Sequence, residues 1–94
     1  MTNSNVFNPN LATSLIVLAL RYEGMNDLAN SCQFAHEAVS TLHASFMQRP
    51  FVHQLLMKVI LSNYLRLCNA ASIEMDTDLI LPIILIFQQF ETEE

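Results

Sequence analysis

The stretch LANSCQFAHEAVSTLHASF, residues 28–46, decides the fold class of this 94-residue chain. Its apolar residues recur at alternating steps of four and three: Leu28, Cys32, Ala35, Val39, Leu42 and Phe46. Such steps place side chains on one side of an α-helix, because the helix has 3.6 residues per turn. This row, which we call the α2 seam, runs for nearly three heptads and predicts a long helix packed against other helices.

Glycine, proline and helix-capping residues on either side of this stretch predict further helices. The chain has one glycine and three prolines, too few for an all-β domain, which needs a turn every 8–12 residues. Asn10 is a good N-cap for a first helix, and Gly24 is its natural stop. Pro50 suits the first turn of a third helix. The predicted helices cover about 11–23, 28–47, 50–71 and 79–90.

The first and third predicted helices each have a candidate core face. In the first, Leu11, Leu15, Leu18 and Tyr22 form a stripe with steps of four, three and four. In the third, an apolar arc covers about half of the circumference and predicts the central helix of the core. Its members are Val52, Leu56, Met57, Val59, Ile60, Leu61, Tyr64 and Leu67. Asn63 falls inside this arc, so we expect it to hydrogen-bond a neighbour.

The most apolar stretch is LILPIILIFQQF, residues 79–90. Asp76 and Asp78 precede it as helix caps, and Pro82 falls near the first turn, where a missing N–H costs least. A helix is favoured over a strand because nothing else in the chain offers a strand to pair with. The helical stripe would be Leu79, Ile83, Ile86 and Phe90, which leaves apolar residues on the other faces.

These segments predict an all-α fold of three to four helices in a small bundle that is completed by oligomerisation. A chain of this length forms one domain. We expect a flexible N-terminal segment over 1–10, a helical domain over 11–90 and an acidic tail over 91–94.

The low charge content predicts a protein partner. Charged residues make up 14% and apolar residues 52% of the sequence, whereas an average soluble domain has roughly 25% charged residues. Apolar surface should therefore remain exposed, and such surface usually marks an interface. The predicted interface comprises Ile16, Val17, Leu20, Leu81, Ile84, Leu85 and Phe87.

Charge also excludes several partners. The net charge is −5, and the four basic residues, Arg21, Arg49, Lys58 and Arg66, are scattered along the chain. Nucleic acids and anionic membrane surfaces both require clustered basic residues. The sequence has neither a stretch of ~20 apolar residues nor a basic region before its first apolar stretch. We therefore expect a soluble cytoplasmic protein that binds neither nucleic acid nor membrane.

Candidate chemical sites are weak. Cys32, His36 and His43 lie on one side of the second predicted helix and are candidate metal ligands, although their spacing matches no standard zinc motif. His36 could accept a phosphoryl group, as in helical phosphotransfer domains, but Glu37 beside it would oppose the negative charge. Ser40 lies one turn from both histidines without an oxyanion motif. We predict no enzyme activity and no cofactor.

One segment resembles a known repeat. The spacing of Leu15, Leu18, Ala19 and Tyr22 is similar to the first helix of a tetratricopeptide repeat, W-x2-L-G-x2-Y. The resemblance covers residues 15–38, and no repeat at the 34-residue period follows. It implies a helical hairpin that holds an amphipathic helix of a partner, as a chaperone-like subunit of an obligate heterocomplex would.

The sequence therefore predicts a non-enzymatic protein–protein interaction module. The main hypothesis is a regulator or adaptor, of the anti-activator or inhibitor type, that acts through a homodimeric helical bundle. The alternatives are the chaperone-like subunit and a histidine-based phosphotransfer or metal-binding domain.

Overall fold

The structure, a computed structural model, describes residues 8–92, and every regular element in that range is an α-helix. The helices are α1 (Asn8–Gly24), α2 (Leu28–Gln48), α3 (Pro50–Ala71) and α4 (Thr77–Thr92). The predicted all-α bundle of three to four helices is confirmed. The N-terminal segment predicted over 1–10 lies outside the described residues except for its last three, which are helical.

The central helix is α2. It packs against α1 on one side and α3 on the other, whereas α1 and α3 touch each other less and α4 contacts α2 and α3 sparingly. The prediction that the third helix would be central is wrong, because α2 is the helix buried on two sides. The α2 seam is confirmed, since all of its members after the half-buried Leu28 are buried. Ser31 and Ala38 widen the buried face beyond the seam.

The buried face of α1 is the one with small residues. Ala12, Ile16 and Ala19 are buried, whereas Leu11 and Leu18 of the predicted stripe are exposed. The hydroxyl of Ser31 on α2 donates a buried hydrogen bond of 2.6 Å to the carbonyl oxygen of Ala19. Such a contact requires close helix backbones, which alanine permits and leucine would prevent. Only half of the predicted stripe lies near the core, since Leu15 packs against it and Tyr22 is half-buried. The close approach of α2 turns the small-residue face of α1 inward instead.

The turn after α1 uses asparagine where glycine was expected. Gly24 belongs to the helix, and the residue with a left-handed backbone is Asn26, at φ 62°. The amide of Asp27 donates to the carbonyl of Tyr22, and that of Asn26 to the carbonyl of Glu23, both at 2.9 Å. These bonds form a Schellman motif with asparagine, the commonest substitute for glycine, at its left-handed position. Asn10, the predicted N-cap, lies inside α1.

The third helix begins and ends where the sequence predicts. Arg49 alone separates it from α2, consistent with the restriction that a proline imposes on the residue before it. Its buried residues are Met57, Ile60, Leu61, Tyr64, Leu67 and Cys68. Val52 and Val59, which the apolar arc placed in the core, are exposed instead. Asn63 donates to the carbonyl of Val59 at 2.9 Å, so its predicted hydrogen bond is confirmed.

An ion pair joins the ends of α1 and α3. The guanidinium of Arg66 binds both carboxylate oxygens of Glu23, with one nitrogen–oxygen distance of 3.1 Å, and also donates to the side-chain oxygen of Asn63 at 2.9 Å. The bond to Arg66 lowers the pKa of Glu23 below its usual value. These contacts connect two helices that otherwise touch little.

Residues 79–90 are helical, which confirms the preference for helix over strand. Ile80 and Ile83 are the buried residues of α4, whereas Leu79, Ile86 and Phe90 of the predicted stripe are half-buried. Pro82 lies in the second turn rather than the first, so α4 lacks an interior hydrogen bond there. Within residues 8–92, no helix combines the length and apolar character needed to cross a bilayer.

Candidate functional site

Asp76 connects three helices at the start of α4. Its Oδ2 lies 2.9 Å from Nε2 of His36 on α2. Its backbone amide donates to the hydroxyl of Tyr64 on α3 at 2.9 Å, and its Oδ1 accepts a hydrogen bond from the amide of Leu79 at 3.2 Å. The predicted N-cap role of Asp76 is therefore confirmed. The bond to His36, followed by the one from Leu79, lowers the pKa of the Asp76 carboxyl.

Two buried thiols meet at this junction. The sulfurs of Cys32 on α2 and Cys68 on α3 are 3.1 Å apart, and the two residues are 4% and 1% exposed. Burial, then the hydrogen bond with Cys68, raises the pKa of the Cys32 thiol to about 12. The reduced Cys32 thiol is therefore neutral at physiological pH, and this argues against a resting catalytic nucleophile, which is a thiolate.

Two open clefts flank the connection between α3 and α4 and reach the thiols. One, of about 460 Å³, is bounded by Cys32, His36, Tyr64 and Asp76. The other, of about 580 Å³, includes Cys68 in its lining. Each cysteine thus contributes to the lining of a different cleft, although both residues are buried.

A row of aromatic rings holds the other end of α4. Phe87 lies 5.3 Å from the buried Phe46 of α2 and 6.0 Å from Phe90, measured between ring centroids. Phe90 stacks on Phe51 at the start of α3, at 4.7 Å. Aromatic pairs in this distance range are mutually attractive. Together with Asp76, this row attaches α4 at both of its ends.

A contiguous apolar surface lies on the first half of α3, and we call it the α3 stripe. It consists of Phe51, Val52, Leu55 and Val59, whose exposed fractions are 68%, 68%, 76% and 53%. At 100° per residue these positions fall within an arc of about 100°. An open groove of about 380 Å³ adjoins the stripe, between Leu55 and Leu65 of α3 and Phe90 of α4.

The interface predicted from the sequence is only partly on the surface. Val17, Leu20, Leu81 and Leu85 are exposed, whereas Ile84 and Phe87 are half-buried against the core. Ile16 lies in the core at 5% exposure and is not available to a partner. Its inward position follows from the small-residue face of α1.

The predicted metal ligands do not converge. Cys32 pairs with Cys68 and His36 with Asp76. His43 lies seven residues, or about 10 Å along the helix axis, beyond His36. Over the part of the chain that the structure describes, no three His, Cys, Asp or Glu residues are placed to hold a metal ion. For phosphotransfer, the Asp76 carboxylate beside His36 adds to the opposing charge of Glu37.

Sequence reasoning missed both the thiol pair and the α3 stripe. A helical wheel could have shown the stripe, because its four positions lie opposite the buried positions of α3. The thiol pair was harder to find, since its members are 36 residues apart and the register between α2 and α3 decides whether they meet.

Comparison with protein-family models, curated proteins and solved structures finds no significant match.

Proposed function

We propose that this protein is a protein–protein interaction module that forms a homodimer through the α3 stripe. The observation that carries the proposal is the exposure of four large apolar side chains side by side on one helix face. Singly scattered apolar residues are ordinary on protein surfaces, whereas a contiguous patch bordered by polar residues is typical of an interface. Further along the same face the residues become polar, at Ser62, Arg66 and Asn69.

The shape of the stripe supports a second copy as its partner. Two α3 helices that cross antiparallel about a two-fold axis through Leu55 would bring Phe51 of one copy against Val59 of the other. A two-fold interface requires such a self-complementary surface. The stripe is about 12 Å long, measured at 1.5 Å per residue. It lies on one continuous helix, so two copies can pair without a change in the shape of α3.

Charge supports the same pairing. The chain carries a net charge of −5, yet residues 50–73 contain no Asp or Glu. Two acidic chains repel each other, and they repel least when they meet at a segment without acidic residues. Lys58, at the edge of the stripe, can extend its charged end into solvent while its methylene groups cover apolar surface.

The apolar residues that are exposed elsewhere would bind a second protein. Val17 and Leu20 on α1, and Leu81 and Leu85 on α4, lie outside the α3 stripe. A dimer would present each of these surfaces twice. This arrangement suits the regulator or adaptor role predicted from the sequence, in which the dimer occludes part of its target.

Light scattering after size-exclusion chromatography tests the proposal. Wild-type protein at micromolar concentration should have close to twice the 10.7 kDa mass of the chain. Leu55→Asp should reduce the mass to that of a monomer, because it would place two carboxylates together at the two-fold axis. Far-UV circular dichroism should remain helical, since Leu55 is 76% exposed.

Leu81→Asp is the matched control, because Leu81 is also an exposed leucine but lies on α4. It should leave the dimer intact. A monomeric wild type would refute self-association and favour the heterocomplex, with the groove beside the stripe holding a partner helix. Dissociation by Leu81→Asp alone would move the interface to the outer face of α4.

A further inference from the structure

We propose that Cys32 and Cys68 are a redox pair, which hydrogen peroxide converts into an intramolecular disulfide that locks α2 to α3. This inference does not depend on the dimer. The modification site would lie between α2 and α3, near the connection from α3 to α4. There the structure brings together the only two cysteines of the sequence.

The two sulfurs lie almost within bonding distance. The two sulfurs are 3.1 Å apart, and a disulfide bond is about 2.05 Å long. Closing the bond thus requires a movement of about 1 Å, which side-chain rotation and a small helix shift can supply.

A small oxidant can approach both cysteines. The two cysteines line different clefts. Cys32 lines the cleft that His36 and Asp76 also line, and Cys68 lines the cleft that Ser72 and Ile73 also line. Hydrogen peroxide is small and uncharged, so it can enter either cleft without displacing α4.

The reaction balances with peroxide as the oxidant. One thiol loses its proton as its sulfur attacks a peroxide oxygen; the O–O bond breaks, and the departing hydroxide takes up that proton and leaves as water. The resulting sulfenic acid is attacked by the second sulfur, which forms the S–S bond and releases the hydroxyl as a second water. Two thiols and one peroxide thus give one disulfide and two waters.

The link would change stability more than shape. It would connect residues 36 positions apart, and a disulfide that closes a loop of this length restricts the unfolded chain. We expect the melting temperature to rise by about 10 °C or more on oxidation, and to return to its original value on reduction. The folded chain, which has no disulfide under reducing conditions, would then be more stable against unfolding in the presence of peroxide.

The test uses purified full-length protein, first reduced and then treated with hydrogen peroxide. Intact mass spectrometry should show the loss of two hydrogens in a monomeric chain, and a non-reducing peptide map should join the Cys32 and Cys68 peptides. Cys32→Ala and Cys68→Ala should each abolish this product and the rise in melting temperature. A urea-unfolded sample provides the reference for thiols that peroxide can reach freely.

Two results would overturn the proposal. One is thiols that stay reduced in the folded protein under conditions that fully oxidise the unfolded one. The other is a product consisting of linked dimers or of oxygen adducts on single cysteines. Because the wild-type chain gives the decisive measurement, an alanine variant that folds poorly does not weaken the test.

Discussion

His36 and Asp76 are 40 positions apart in the sequence, yet their side chains meet at 2.9 Å. The contact fastens the start of α4 to the middle of α2. The position of α4 also depends on its buried residues Ile80 and Ile83, on the bond to the Tyr64 hydroxyl and on the aromatic row at its far end. Asp76 thus acts both as a helix cap and as an anchor between helices.

Two substitutions of Asp76 should weaken the attachment of α4 to different extents. Asp76→Asn should keep an oxygen that can cap the amide of Leu79 but lose the charge opposite His36. Asp76→Ala should lose both the capping oxygen and the charge. It should therefore lower the melting temperature by several degrees more than Asp76→Asn does. Thermal unfolding followed by circular dichroism measures the difference. Asp78→Ala is the control, because Asp78 lies in the first turn of the same helix; an equal loss in that variant would contradict the anchoring role.

Acid should remove the contribution of the ion pair between Glu23 and Arg66. The pKa of Glu23 is lowered in the folded chain, so its contribution is fully present above the unfolded value of about 4.3 and is lost as the pH falls through the folded value. Glu23→Gln should therefore reduce the stability to urea at pH 6 but have little effect at pH 2.

High salt should reduce the loss of stability that Glu23→Gln causes at pH 6. The Arg66 side chain is half exposed, so salt screens its attraction to Glu23. Glu37→Gln, at an exposed position on α2, is the matched control for removal of a carboxylate. A loss from Glu23→Gln that is equal at both pH values would show that the pair contributes through packing and not through charge.

Ser72→Gly should stabilise the protein by about 0.5–1 kcal/mol. Ser72 ends α3 with a left-handed backbone, at φ 56°, a conformation that glycine adopts without the steric cost of a Cβ atom. Chemical denaturation should show the gain as a higher midpoint. Ser40→Gly, at an exposed position inside α2, should instead destabilise by about 0.5 kcal/mol. A loss in both variants would mean that Ser72 contributes something beyond its backbone angle.

Enlarging Ala19 should separate α1 from α2. The carbonyl of Ala19 accepts the 2.6 Å hydrogen bond from Ser31, and its methyl group is fully buried. Ala19→Leu should cost about 1–3 kcal/mol through overpacking, measured by urea unfolding. Ala44→Leu, at an exposed position on α2, should change the stability by less than about 0.5 kcal/mol. A tolerated leucine at Ala19 would show that the contact can open without loss.

Local patterns could predict the helices because helix starts, stops and faces depend on neighbouring residues. The α2 seam, the Arg49–Pro50 boundary and the cap at Asp76 were all found this way. The buried face of α1 could not be found, because both its leucine stripe and its alanine face are apolar. The choice between them depends on how closely α2 approaches, which is a property of the pair of helices.

The sequence by itself determined an all-α chain of three to four helices with more apolar surface than one small core can bury. Short-range periodicity and capping carry that information. Only the tertiary structure decided which apolar residues stay outside, at the α3 stripe, and which distant side chains meet, as Cys32 and Cys68 do. Both depend on the rotation and register of packed helices, and a shift of one residue would turn each side chain by 100°.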